Sequence, residues 1–232
     1  MVHWVFGVIG ILALLLVLFK VLAALWRILW PYVLGRPKSL EALAGPGNWA
    51  LVTGCTDGIG RAYAAELASR GISLVLVSRS AQKLAEMEAE FRRRFAKPDF
   101  LTVAFDFSEP SVAVYKQRLL AKIQHLPIGI LVNNVGAMYT FPQRFHDANG
   151  GFEKMADVMT INMHPVTLLS AFVLDQMTKR GQGVIVNISS MIGYRPCFYQ
   201  TIYAATKAYV NCLSQSLRLE YANQKGIHIQ TV

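Results

Sequence analysis

Of 232 residues, 53% are hydrophobic and only 16% charged, so the chain carries enough apolar surface to build a core, and disordered classes are excluded. Twenty-three Lys plus Arg against 14 Asp plus Glu give a net charge of +9. The densest basic run, Arg92-Arg93-Arg94, falls on a predicted amphipathic helix as a solvated face, so no nucleic-acid stripe is expected. Cys55, Cys197 and Cys212 are widely spaced, which leaves neither a disulfide framework nor a CxxC metal site.

The first element is apolar all round. No charge occurs from Trp4 to Phe19, and after Lys20 the run resumes from Val21 to Trp26. About 20 residues of helix cross the hydrocarbon core, and a lysine near one end can snorkel, so residues 1–34 read as an uncleaved transmembrane anchor. Trp4, Trp26 and Trp30 sit at its two ends like interfacial anchors. Arg27, Arg36 and Lys38 follow the span and no Lys or Arg precedes it, which orients the remainder to the cytosol as a single-pass protein touching membrane lipid. Gly35, Pro37, Gly45, Pro46 and Gly47 punctuate residues 35–47, which read as a linker.

From residue 48 to 232 short β-branched runs alternate with helical patterns. Strands are predicted at 49–53, 72–78, 100–105, 129–133, 183–188 and 227–232, and helices at 59–70, 81–95, 111–123, 153–179 and 203–222. The fold class is α/β, a Rossmann-like doubly wound parallel sheet. Runs such as Leu74-Val75-Leu76-Val77 suit strands covered on both faces.

The first strand ends in Thr53-Gly54-Cys55-Thr56-Asp57-Gly58-Ile59-Gly60, with a helix following at once. A glycine-rich strand-to-helix turn lets the backbone approach a pyrophosphate at the helix N-terminus, so Gly54, Thr56, Asp57, Gly58, Ile59 and Gly60 are candidate cofactor residues. The second strand closes on Ser78-Arg79-Ser80, without the acidic residue that suits a ribose 2′-hydroxyl. Arg79 can pair with a 2′-phosphate, which points to NADPH/NADP. Asp106 after the third strand, and Asn133, Val135 and Gly136 closing the fourth, lie at the carboxyl edge of the sheet where ligands bind in open α/β folds.

The fifth strand closes on Ser189-Ser190, and the next helix opens with Tyr203 and, one turn on, Lys207. Residues at i and i+4 share a helix face, which brings an ammonium to a phenol. Free phenols ionise near pH 10 and a neighbouring cation favours the ionised form, so Tyr203 is a candidate proton donor to a carbonyl. Ser190 is a candidate donor to the same substrate oxygen, and Lys207 a candidate for holding the nicotinamide ribose. Ser189 should turn toward the helical side, because strand neighbours point opposite ways. Tyr199 has no lysine four residues on.

Thr53-Gly54-x-x-x-Gly58-Ile59-Gly60, Asn133-Asn134-Val135-Gly136, Ser190 and Tyr203-x-x-x-Lys207 resemble the motifs of the short-chain dehydrogenase/reductase family over about residues 48–232. With the amino-terminal anchor, Val77-Ser78-Arg79-Ser80 and Asn187-Ile188-Ser189-Ser190, the chain is similar to the family's membrane-bound 17-beta-hydroxysteroid dehydrogenase branch. That likeness implies an enzyme of the endoplasmic reticulum membrane that uses NADPH to reduce a ketone on a hydrophobic substrate, a steroid or a very-long-chain 3-oxoacyl-CoA. It implies catalytic roles for Asn162, Ser190, Tyr203 and Lys207, Asn162 placing a water in a proton relay, and a homodimer through helices 153–179 and 203–222. Pro165, just past Asn162, departs from the pattern and can bend the helix. Members of the family continue into a Pro-Gly loop, a seventh strand and further helices, so the expectation for a chain of this length is a C-terminally incomplete domain. The alternative reading is a catalytically inactive, membrane-bound binding or dimerising form.

Overall fold

A computed structural model describes residues 2–30, 33, 35, 39–46 and 49–232, which fall into two compact units, 1–39 and 40–232. Leu34, Arg36, Pro37, Lys38, Gly47 and Asn48 lie outside the described residues. Among its described residues the first unit holds one α-helix, α1 (Val2–Leu29). Its length and apolarity make it a candidate membrane span, and no side chain from Trp4 to Leu29 is buried. The absence of a polar stripe explains this: a helix that is apolar on every face has no side reserved for a protein core. Trp26 and Trp30, four residues apart, pack as a tilted pair where α1 ends, with ring centroids 4.8 Å apart.

The second unit begins with α2 (Leu40–Ala44), inside the stretch expected as a linker. Ala44 is buried, and Leu40 and Leu43 pack against the hydrophobic cluster that holds Ile130, Val132, Val184 and Val186 of the sheet. Then come β1 (Trp49–Thr53), α3 (Gly58–Ser69), β2 (Leu74–Ser78), α4 (Ala81–Arg94) and β3 (Phe100–Ala104). A third crossover follows as α5 (Val112–Val114), wider π turns over Tyr115–Leu120, and α6 (Ala121–Ile123). The chain continues through β4 (Ile128–Asn133), α7 (Gly151–Arg180), β5 (Gly183–Asn187), α8 (Thr201–Glu220) and β6 (Ile227–Thr231). Short 3-10 turns occupy Phe145–Asp147 and Met191–Tyr194.

All five strand pairings are parallel, in the order β3-β2-β1-β4-β5-β6. The chain winds outward from β1 to β3, returns to β4 beside β1, and winds the other way. Alternate strand residues feed two cores, as a pleat of period two requires. Val52, Leu74 and Leu76 meet Leu67, Leu84 and Phe91 of α3 and α4 on one face. Leu51, Val75, Leu131 and Ile185 meet Leu119 and the α7 residues Leu169 and Val173 on the other. The direction of winding reverses between β1 and β4, so their carboxyl ends open a crevice there. Pro165 is buried inside α7, which stays helical from Gly151 to Arg180.

Candidate active site

At the crevice, β1 turns into α3 through Gly54, whose φ of +62° lies in the left-handed region that favours glycine. Asp57 is the N-cap of α3, and its Oδ1 accepts from the Gly58 backbone N–H at 2.7 Å. Its carboxylate is committed to the helix end, while Ile59 stands exposed on the first turn. The opposite wall is tied to this turn by Asn134. Its Nδ2 donates to the Thr53 and Gly54 carbonyls at 3.0 and 3.1 Å, and the Thr53 hydroxyl accepts from the Asn134 and Val135 N–H groups. A Cβ at Gly60 would lie 2.3 Å from Asn134 Nδ2 and 2.4 Å from the Gly54 carbonyl oxygen, so only glycine lets α3 approach this closely.

A cleft of about 330 Å³ runs from this junction, bounded by Gly54, Ser78, Arg79, Asp106, Val135 and Gly136, with Lys154 and Asp157 of α7 on one side. Arg79 is exposed at the end of β2. Thr56 reaches the same place, its hydroxyl 2.9 Å from that of Ser78. One Asp106 oxygen accepts from the Ser108 N–H and hydroxyl at 3.0 and 2.9 Å, which fixes the carboxylate at the rim. The Asn133 side chain is directed away from the cleft: it is 5% exposed within the sheet, donating to Asn187 Oδ1 at 2.8 Å and to the Ser170 hydroxyl at 3.2 Å. The reason is its place as the last residue of β4, where the side chain follows the pleat inward, while Asn134 just beyond the strand is free to turn to the crevice. Asn187 passes the connection on to Ser214 of α8 at 2.8 Å.

Ser190 lies just past β5 and caps the 3-10 turn, its hydroxyl accepting from the Ile192 N–H at 3.3 Å. Ser189 turns toward α8 and donates to the Lys207 carbonyl at 3.2 Å. Tyr203 occupies the first turn of α8 and is half-buried. Lys207, only 5% exposed, puts its Nζ 5.7 Å from the centroid of the Tyr203 ring and donates to the Ile188 carbonyl at 2.9 Å. Burial pushes its ammonium pKa down to about 8. Gly136 joins the two halves of the site: a Cβ there would stand 3.6 Å from Lys207 Nζ and 3.3 Å from Asn162 Oδ1. Chemically, the arrangement places the Tyr203 ring beside a buried cation that lies next to Gly136, and Gly136 shares with a guanidinium the lining of the cleft. Tyr199 is half-exposed, with a φ of +61°.

Asn162 is buried, and both its N–H groups and its oxygen have protein partners. Oδ1 accepts from the Ala137 N–H at 2.7 Å, and Nδ2 donates to the Ala137 carbonyl and to the Thr206 hydroxyl, both at 2.9 Å. Thr53, Asn134 and Thr206 join the site as hydrogen-bonding residues that the sequence did not single out. The first two were legible as parts of quoted motifs but not as hydrogen-bonding hubs, and Thr206 was hidden between Tyr203 and Lys207.

Residues 48–232 match the short chain dehydrogenase family. A very-long-chain 3-oxoacyl-CoA reductase of Caenorhabditis elegans is 45% identical over 223 residues, 96% of this chain and 70% of that protein. The bovine very-long-chain 3-oxoacyl-CoA reductase (Bos taurus) is 42% identical over 194 residues, 83% of this chain and 61% of that protein. Among solved structures, a short-chain dehydrogenase from Sphingobium yanoikuyae in complex with NADPH superposes with a TM-score of 0.68 at 35% identity, covering 79% of this chain and 69% of that one. A bulky-bulky ketone specific alcohol dehydrogenase from Comamonas testosteroni gives a TM-score of 0.69 at 33% identity, covering 80% and 71%.

Proposed function

Because the chain belongs to the short-chain dehydrogenase family, we propose that it is an NADPH-dependent reductase of the ketone in a long-chain 3-oxoacyl-CoA, held at the endoplasmic reticulum membrane by residues 1–34 with its catalytic domain, 48–232, in the cytosol. The observation that carries this reading is the buried Lys207 ammonium beside the Tyr203 ring, next to Gly136 of the cleft that Arg79 borders. The acyl-CoA substrate rests on the relatives that carry that name, and a candidate span suits a substrate drawn from the membrane. Homodimerisation through α7 and α8 is part of the same reading. The exposed Met159, Tyr209 and Leu219 on those helices support it.

The cradle fits the cofactor. Glycine at 54 and 60 lets the start of α3 close onto the β4 turn, and beside Gly58 the surface is open, with no atom within 4 Å of where a Cβ would lie, so a pyrophosphate can approach the helix N-terminus there. Gly54, Thr56, Gly58, Gly60, Val135 and Gly136 would form its bed, with Asp106 at the adenine end and Arg79 facing a 2′-phosphate. Bound NADPH supplies hydride to the carbonyl carbon. Tyr203 gives its phenolic proton to the carbonyl oxygen, and Ser190 donates a second hydrogen bond to that oxygen. Lys207 keeps a positive charge beside the phenol and would hold the nicotinamide ribose.

Tyr203→Phe keeps the ring and removes the proton. In membranes carrying the protein, 3-oxoacyl-CoA-dependent NADPH oxidation is expected to fall by about 10²–10⁴-fold, with NADPH affinity within twofold. Retained turnover moves the proton donor elsewhere.

A further inference from the structure

Thr206 is 2% exposed and lies between the two reacting side chains of α8. Its hydroxyl donates to the Tyr203 carbonyl at 2.8 Å and accepts from Asn162 Nδ2 at 2.9 Å. A hydroxyl has one proton, so the direction of both bonds is set. The amide of Asn162 is equally determined: a flipped amide would turn its NH₂ toward the Ala137 N–H and its oxygen toward the Ala137 carbonyl. One continuous run of hydrogen bonds therefore joins the chain after Gly136, the middle of α7 and the first turn of α8.

That turn lacks a side-chain cap, although the Gln143 N–H donates to the Tyr199 carbonyl just before it at 3.0 Å. The N-cap of α8, Gln200, makes no side-chain cap bond, and Tyr199 before it stands in a left-handed conformation costly for a bulky side chain. A free helix start frays within its first turn, and Tyr203 sits there. What restrains it is lateral: past β5, Lys207 donates to the Ile188 carbonyl and Ser189 to the Lys207 carbonyl, and on the α7 side the Thr206 hydroxyl grips the Tyr203 carbonyl and is itself gripped by Asn162.

We propose that Thr206 is a positioning residue, which through Asn162 and Ala137 sets the first turn of α8, and with it Tyr203 and Lys207, against the Gly136 wall of the cleft. The proposal rests on the reductase reading for its kinetic consequence and on the hydrogen bonds alone for its structural one. Thr206→Val keeps the shape and β-branching and removes the hydroxyl; Thr206→Ser keeps the hydroxyl.

The test measures NADPH affinity, 3-oxoacyl-CoA kinetics over a range of pH, and amide hydrogen exchange in the full chain. For Thr206→Val, kcat is expected to fall about tenfold, the equivalent of about 1.4 kcal/mol, with KM and NADPH affinity within twofold and the pH profile of kcat shifted. Exchange protection is expected to drop over residues 201–207 and to stay unchanged in β1, β4 and β5. Thr206→Ser is expected to restore the rate, the profile and the protection. The proposal is overturned if Thr206→Val leaves kcat and its pH profile within twofold of wild type, if Thr206→Ser is as damaging as Thr206→Val, or if protection falls evenly across the domain. Should the wild type itself fail to reduce the acyl-CoA, the reductase reading fails and exchange decides alone: selective loss over 201–207 supports the positioning role, and unchanged protection overturns it.

Discussion

Burying Lys207 has a stability consequence whose sign follows from its displaced ionisation. The ammonium is held down to about 8 from an ordinary 10.5, because the folded protein withdraws it from water. Below about pH 8 both folded and unfolded chains hold this proton, and the cost of the buried charge is fully present. Between about 8 and 10.5 the unfolded chain binds the proton and the folded one does not, so this group makes stability rise with pH across that window. Lys207→Met keeps much of the apolar stem without the charge. It is expected to be more stable than wild type at pH 7, with the difference shrinking as pH rises through the window; urea unfolding of both proteins at pH 7 and 9.5 measures this. A difference independent of pH would mean that the ammonium is not desolvated. At this scale the sequence was most legible where chemistry depends on local spacing: Tyr203 and Lys207 meet because i and i+4 share a helix face. The different placements of the Asn133 and Asn134 side chains were not legible, because adjacent asparagines look alike in a sequence and only the pleat decides which one enters the sheet.

Element positions were read closely because β-branched runs and helical periods alternate cleanly, and Gly54 to Gly60 mark the turn between β1 and α3. Pro165 does not end α7, which stays helical on both sides of it with buried residues before and after packed into the domain. Two features were not legible. The π turns at Tyr115–Leu120 were hidden inside a pattern that an ordinary helix satisfies equally well. The short α2 carries too few residues to show a period. The tight fit of α3 against the β4 turn could not be seen in a glycine motif either, and it leads to a prediction. In Gly60→Ala the new methyl meets a backbone oxygen, which cannot rotate away as a side chain can, so α3 must back off from the crevice. Overpacking of this sort costs about 1–3 kcal/mol. The larger effect should fall on the ligand, because the helix N-terminus moves with the helix. Fluorescence titration is expected to show NADPH affinity down more than about tenfold in a protein that still melts cooperatively. Unchanged affinity would show that the N-terminus of α3 does not face the cofactor phosphates.

At the scale of the whole molecule, the division between an apolar helix and an α/β unit was plain in composition, but its boundary was not. Glycine and proline punctuation suggested a linker through 47, whereas the compact unit starts at Leu40 because Ala44, Leu40 and Leu43 cover sheet residues that include Val184 and Val186. Two deletions separate the roles of α1 and α2. Removing residues 1–39 takes away only the candidate span, so the product is expected to leave carbonate-washed membranes and to melt close to the full chain. Removing residues 1–47 also strips α2. One fully buried alanine and two partly buried leucines then leave the core, at about 25 cal/mol per Å² of apolar surface returned to water, or roughly 2–3 kcal/mol. Against a typical margin of about 5–15 kcal/mol that is a large share, so the shorter product is expected to melt several degrees lower. Carbonate extraction with thermal unfolding of both products checks the pair. If residues 40–232 stay in the membrane pellet as folded protein, α1 is not the attachment. If the two products melt alike, α2 contributes nothing to the core, and the unit begins at β1 as the punctuation had suggested.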